Sequence, residues 1–337
     1  MKRPTITVLV ALAATLLAGC SGAGPTLSEG AQPIPTTDCL VFSPDGAKLA
    51  ATFNSTVKVF DTTSGSVLQT FTASNVVPTL AWSPDGSLLA GGTHGKIVLV
   101  WDVAGGQVRH TLAGPKAPVN AVAWSPDGKL LVVAAGDPNM YADKRGNVRS
   151  EVRMLDPVAG QELGVLDNPG DTIMGVAFSP DGTRFVTVGG VDGKIRLWDT
   201  AARKPAGPAA VNSQGAGVSG VAFSPDGRTL ATGGLDKALT LWDPTTLKEK
   251  ARFEGHADRV NAVAFTPLGP VSASDDGSVR VWDVEAKIPR TVLRDKGPRV
   301  HAVAATRDGK TVAAGGAGGV VRVWDLSSPG APRLELK

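Results

Sequence analysis

The residue types able to do chemistry are few, and their spacing limits what they could do. The chain has four histidines, His94, His110, His256 and His301. No two stand at the HxH or HExxH spacing that would bring two imidazoles onto one metal ion. No DxDxDG loop is present to wrap calcium, and no GxSxG elbow follows the first twenty residues to present a nucleophile. The many serines and aspartates fall in recurring Ser-Pro-Asp-Gly phrases, which read as turns. No metal or other cofactor is expected, no catalytic residue is assigned, and the chain is expected not to be an enzyme.

Two features suit binding instead. The stretch from Asp137 to Gly146 holds the only tyrosine, Tyr141, close to Met140, Lys144 and Arg145. Such a group offers an aromatic anchor flanked by cations. Arg259 and Arg299 occupy equivalent places in two neighbouring units, where Val76, Pro118, Thr172 and Gly217 stand in the others. Guanidinium groups there could grip carboxylates in two-pronged fashion. The plainer alternatives stay open: a lengthened hairpin with solvated tips, and a pair of solvated arginines.

The elements that must carry these residues show themselves as a repeat. LVFSPDG at 40–46 returns as LAWSPDG at 80–86, VAWSPDG at 122–128, VAFSPDG at 176–182 and VAFSPDG at 221–227. Weaker copies follow at 263–269 and 303–309. A second phrase trails each copy and ends in aspartate at 61, 102, 156, 199, 243, 283 and 325. Each unit reads as four short β-branched runs separated by Pro-Asp-Gly, Gly-rich and Asp-Pro turns, which are hairpin signals. Within the first run, small residues such as Ala121 and Ala123 alternate with large ones such as Val122 and Trp124. Alternate residues of a strand face opposite sides, so a small face can interlock with the large face of the next unit. The fold class is therefore all-β: a single seven-bladed β-propeller of four-stranded antiparallel blades.

With the repeat laid out, residues 38–337 resemble the WD-repeat β-propeller family. The resemblance implies a structural network of a histidine, a serine or threonine, an aspartate and the tryptophan of the WD phrase. Only the sixth blade matches it fully, with His256, Ser272, Asp276 and Trp282. Phe60 and Leu155 replace the tryptophan in blades one and three. His110 is expected on an outer strand without such partners. Cys39 aligns with Thr79, Ala121 and Gly175 on the small inter-blade face, so a buried, inert thiol is expected. The run Pro332 to Lys337 can supply the outer strand of blade seven. No N-terminal segment looks like a strand, so packing of inner strands is expected to close the ring.

Residues 1–19 form a positive start at Lys2 and Arg3 followed by an apolar stretch from Ile6 to Leu17, a secretory signal too short to span a membrane comfortably. The ending Leu17-Ala18-Gly19-Cys20 resembles the lipobox of bacterial lipoproteins, which implies cleavage before Cys20 and its acylation. Residues 20–36 would then be the lipidated cysteine and a tether rich in Gly, Pro, Ser and Thr.

Composition agrees with a folded, weakly charged molecule. Of 337 residues, 42% are hydrophobic and 41 are glycine, which excludes wholesale disorder and favours turns. The net charge of +3 is too small for a basic stripe, so nucleic acid is not an expected partner. Two cysteines exclude a disulfide scaffold. The functional expectation is a monomeric, lipid-anchored propeller at the bacterial cell envelope, facing out of the cytoplasm and binding a protein or peptide. The alternatives are a propeller enzyme, lactonase-like or another hydrolase, and a structural factor in envelope assembly.

Overall fold

The computed structural model describes residues 36–113, 115–136, 150–166, 172–190, 192–212, 215–294 and 299–337. Seven antiparallel sheets follow one another along the chain, each built from consecutive strands in sequence order. Blade one shows the plan: inner strand Leu40–Phe42, then Lys48–Phe53, Thr56–Asp61 and outer strand Val67–Thr72.

The Ser-Pro-Asp-Gly phrase turns the inner strand into the second. Gly46 donates its N–H to the Ser43 carbonyl at 2.8 Å and adopts a φ of 73°, a left-handed conformation that a side chain would strain. Asp45 accepts from the Ala47 N–H at 3.0 Å, and Ser43 Oγ accepts from the Lys48 N–H at 2.9 Å. Side chains thus satisfy the backbone groups that the reversal leaves over.

Alternation on the inner strands packs the blades. Val122 and Trp124 lie against Leu88, Ala90 and Val98 of the preceding blade. Ala121 faces the other way, in a cluster with Val132, Met154, Ile173 and Phe185. Gly220 shows why small residues hold that face: a Cβ there would come within 3.0 Å of Ala262 Cα in the next blade. The tryptophans of the first strands tie neighbours together as well. Trp82 Nε1 donates to the Val41 carbonyl and Trp124 Nε1 to the Ala81 carbonyl, both at 3.1 Å.

Blade four departs from the plan. Its outer strand is split into Lys204–Pro205 and Ala210–Val211, both paired with Lys194–Asp199. Pro205 and Pro208 cannot donate to a ladder, and Gly207 between them favours a bend.

Among the described residues the ring closes without exchange of strands. Leu334–Leu336 forms the outer strand of blade seven, pairing Val321 with Leu336 and Val323 with Leu334. Leu40, Leu49, Ala51 and Phe60 of blade one pack on Ala302, Ala313, Val321, Val323 and Leu336 of blade seven. Ahead of the first strand, Thr36 makes an isolated bridge with Ala317, and Thr37 N–H donates to the Gly316 carbonyl at 3.0 Å.

Candidate functional site

The connections that precede each inner strand share one side of the propeller with those joining second to third strands. Arg259 and Arg299 both lie in connections of the first kind, immediately before the inner strands Val260–Thr266 and Val300–Ala305. They converge on Asp275, which follows the second strand of blade six. Arg259 Nε donates to Asp275 Oδ2 at 2.8 Å, and Arg299 Nε lies 4.0 Å from the same oxygen. Asn261 Nδ2 reaches Asp275 Oδ1 at 2.6 Å and the Val300 carbonyl at 2.9 Å, bridging blades six and seven. The Asp275 side chain is 4% exposed, Arg259 11% and Arg299 57%.

The two arginines are therefore not equivalent, contrary to the sequence reading of a matched pair. Arg259 holds a buried carboxylate, while Arg299 presents most of its guanidinium to solvent. Asp275 itself was not singled out from the sequence. A signal was present: the Asp275-Asp276 doublet falls where blades five and seven carry Leu235-Asp236 and Ala317-Gly318, and it coincides with the extra arginines.

Tyr141, Lys144 and Arg145 lie outside the described residues, as does Cys20. Gly136 and Ser150, which flank the insertion, end one strand and begin the next, so the connection between them is of the second-to-third-strand kind. A cleft of about 560 Å³ opens near Ser150, lined by Lys96, Lys116, Ser150 and Glu151.

Beneath the Asp275 cluster, the four residues assigned to the network of blade six are in contact. Trp282 Nε1 donates to Ser272 Oγ at 2.8 Å, Ser272 Oγ lies 2.7 Å from His256 Nε2, and His256 Nδ1 lies 2.8 Å from Asp276 Oδ2. The directions are consistent throughout if Nδ1 carries the proton: Trp282 donates to the Ser272 hydroxyl, that hydroxyl donates to Nε2, and Nδ1–H donates to Asp276. Burial pushes the His256 imidazole below its ordinary value, against the pull of Asp276. Burial works to raise the Asp276 carboxyl, but hydrogen bonds from Ser278, His256 and the Ala257 N–H outweigh it and hold the group well below the usual carboxylate range. Blades four and five keep only the tryptophan contact, Trp198 to Thr187 at 2.9 Å and Trp242 to Thr232 at 2.8 Å.

The polar residues of the inner strands are engaged with neighbouring blades. Asn120 Nδ2 donates to the Ile173 carbonyl at 2.9 Å, and His301 Nδ1 lies 3.2 Å from Asp38 Oδ1 across the closing seam. Cys39 Sγ accepts the Leu80 N–H at 3.3 Å, and burial pushes its thiol up to about 12, where it is not a nucleophile at neutral pH. His110 stands on the outer strand Gln107–Ala113, as expected, but it makes a contact between blades that the sequence did not announce. Its Nε2 lies 3.0 Å from the Val158 carbonyl of the next blade, because the turn ending at Gly160 folds back over the imidazole. Among the described residues, no group of three or more His, Cys, Asp or Glu could hold a metal ion.

A family model described as "WD domain, G-beta repeat" matches the chain seven times, over residues 35–61, 65–102, 106–141, 160–199, 210–243, 247–283 and 288–325. Six of the matches end on the aspartate that closes a third strand, and the third breaks off inside the insertion. Pre-mRNA-splicing factor cwf17 of Schizosaccharomyces pombe is 30% identical over 152 residues, 44% of this chain and 44% of that protein. Telomerase protein component 1 of Rattus norvegicus is 26% identical over 254 residues, 72% of this chain and 9% of its own length. The WD repeat-containing protein WDS homolog of Arabidopsis thaliana is 27% identical over 255 residues, 72% of this chain and 45% of its own length. The chain thus spans less than half the length of each of these relatives.

Proposed function

The chain belongs to the WD-repeat family, and from that premise we propose that it is a lipid-anchored scaffold of a bacterial cell envelope, binding a protein or peptide partner. No catalytic activity is proposed for it. The observation that carries the binding reading is the asymmetric arginine pair. Asp275 neutralises Arg259 inside the fold, and Arg299 is left beside it with an open guanidinium. A carboxylate-bearing segment lying across that side would find in Arg299 a two-pronged donor held at a fixed place. Tyr141, Lys144 and Arg145 are proposed as further contacts to the same partner.

Capture of the partner from detergent-solubilised envelopes tests this. Arg299→Ala is expected to weaken capture by about tenfold, near 1.4 kcal/mol, with an unchanged melting temperature. Arg259→Ala serves as a contrast, because it leaves the Asp275 carboxylate buried without its main cation and should lower stability. Undiminished capture by Arg299→Ala would remove this side from consideration.

Anchoring rests on Leu17-Ala18-Gly19-Cys20. The mature wild-type chain is expected to begin at an acylated Cys20, and Cys20→Ser to lose both the acyl mass and the cleavage. Intact mass spectrometry reads both. A wild-type chain that begins elsewhere and carries no acyl group would end the lipoprotein reading and the envelope location with it.

A further inference from the structure

The inner strands carry a recurring break. In blades three to seven the pairing of first with second strand skips one residue near the strand's start: Asn120, Met174, Ser219, Asn261 and His301. A bulge re-aims the side chain that it sets out of register. At three of these places the side chain crosses to the next blade around the ring. Asn120 reaches the Ile173 carbonyl, Asn261 the Val300 carbonyl, and His301 Nδ1 lies 3.2 Å from Asp38 Oδ1 of blade one. Of the bulged residues His301 is the one whose side chain can change its charge.

The Asp38 contact fixes which nitrogen is left over. Asp38 takes the Thr36 hydroxyl on its other oxygen at 3.2 Å. A carboxylate only accepts, so Nδ1 carries the proton of that bond and Nε2 of the neutral ring is a bare acceptor. Nε2 has no hydrogen-bond partner among the described residues, and 22% of the side chain is exposed. A second proton therefore goes onto Nε2. It turns an acceptor into a donor and adds one positive charge, while Nδ1–H stays on Asp38.

Arg299 stands two residues earlier on the same blade, with its guanidinium mostly in solvent. It leans toward Asp275 of blade six, and His301 toward Asp38 of blade one. The strands packed on Val300–Ala305 bring few other charges. Leu40–Phe42, Val260–Thr266, Gly269–Ser274 and Thr311–Gly316 have none. Arg280 and Asp283 of Ser278–Asp283 are paired with Asp276 and Arg290. On the blade-six side Arg259 holds Asp275, and Asp258 stands exposed in the connection before it. Whatever these charges sum to, protonation of His301 makes the mouth more positive by one charge, close to Arg299.

From the bulge, the fixed tautomer and the nearness of Arg299, we propose that His301 is a second contact for the acidic partner segment at Arg299, binding a carboxylate through Nε2–H once the imidazole is protonated. The scaffold then holds its partner more tightly below neutral pH than above it. Free carboxylates stay ionised down to about pH 5, so the change falls on the imidazole and not on the segment. This deepens the scaffold reading and rests on the Arg299 site.

A fluorescently labelled oligoglutamate peptide serves as the probe, with its anisotropy titrated against the full chain at constant ionic strength. Wild type is expected to bind about tenfold more tightly at about pH 5.5 than at about pH 7.5. His301→Gln keeps an N–H donor for Asp38 but takes up no proton, so its affinity should be the same at both values. His94, His110 and His256 are common to both chains, so their titration cancels in the comparison. In imidazole carbon–proton spectra the signal that vanishes in His301→Gln should shift when the peptide is added at the lower pH. Tightening in His301→Gln equal to that of wild type, or an unmoved His301 signal, overturns the assignment and leaves the Arg299 site standing. Arg299→Ala should bind more weakly at both pH values. If it binds as wild type does, the Arg299 site and the role of His301 beside it fall together.

Discussion

Leu336→Ala is expected to lower the free energy of unfolding by about 2–4 kcal/mol, although the residue stands next to the C-terminus. Terminal residues are ordinarily tolerant of change because little is packed on them. Leu336 is 4% exposed and lies in the cluster that joins blade seven to blade one. One of its methyl carbons lies 3.0 Å from where a Cβ on Gly65 would sit, which shows how closely the first blade is fitted to it. Among the described residues no strand is exchanged across this seam beyond the Thr36–Ala317 bridge, so side-chain packing does much of what a shared outer strand would otherwise do. A truncated side chain therefore leaves a cavity at the one junction where blades distant in sequence meet. Leu268→Ala is the control: that leucine is 43% exposed on a turn, and its loss should stay within about 0.5 kcal/mol. Urea midpoints measured side by side decide the matter. If the two variants unfold at the same midpoint, the seam is not held by this cluster.

The contrast between those two leucines marks how far sequence reading reached. The sevenfold architecture was legible because Ser-Pro-Asp-Gly and the closing aspartates recur at a period that no other fold explains, and because Ala121 and Val122 alternate as interlocking faces require. The tetrad of blade six was legible because His256 follows a glycine and its partners align with the family's pattern. The reading faltered where side chains cross between blades. His110 has no sequence signal for Val158, forty-eight positions away, since that contact depends on how one turn folds over the neighbouring outer strand. The alignment of Arg259 with Arg299 conveyed position without burial, and so concealed that Asp275 separates their roles. Pro205 and Pro208 were visible as residues, but the split they impose on the outer strand of blade four shows only once the ladder is drawn.

His256→Ala is expected to cost about 1–3 kcal/mol at neutral pH and to remove part of the protein's acid sensitivity. The substitution strands the Ser272 hydroxyl and takes one donor from Asp276, both inside the blade. The pH dependence follows from burial. The folded imidazole lies below the ordinary value of 6.5, so as pH falls through 6.5 the unfolded chain takes up a proton that the folded chain resists. Stability from this group is present above about 6.5 and is lost as pH falls toward the lowered folded value. Asp276 acts in the same direction at lower pH, because its depressed carboxyl stabilises the fold above 3.8 and that contribution fades below it. Wild type should therefore lose stability between about pH 7.5 and about pH 5.5 more steeply than His256→Ala, which has no imidazole to protonate there. His110→Ala offers a comparison in cost, since it loses a single half-exposed bond to Val158 and should fall near 0.5–1 kcal/mol. Denaturant midpoints at the two pH values supply both readings. Parallel losses in wild type and His256→Ala would mean that the folded imidazole takes up its proton as the unfolded one does, and a shallower loss in wild type would mean that His256 holds a second proton in the fold, so that Ser272 could not donate to Nε2 as assigned.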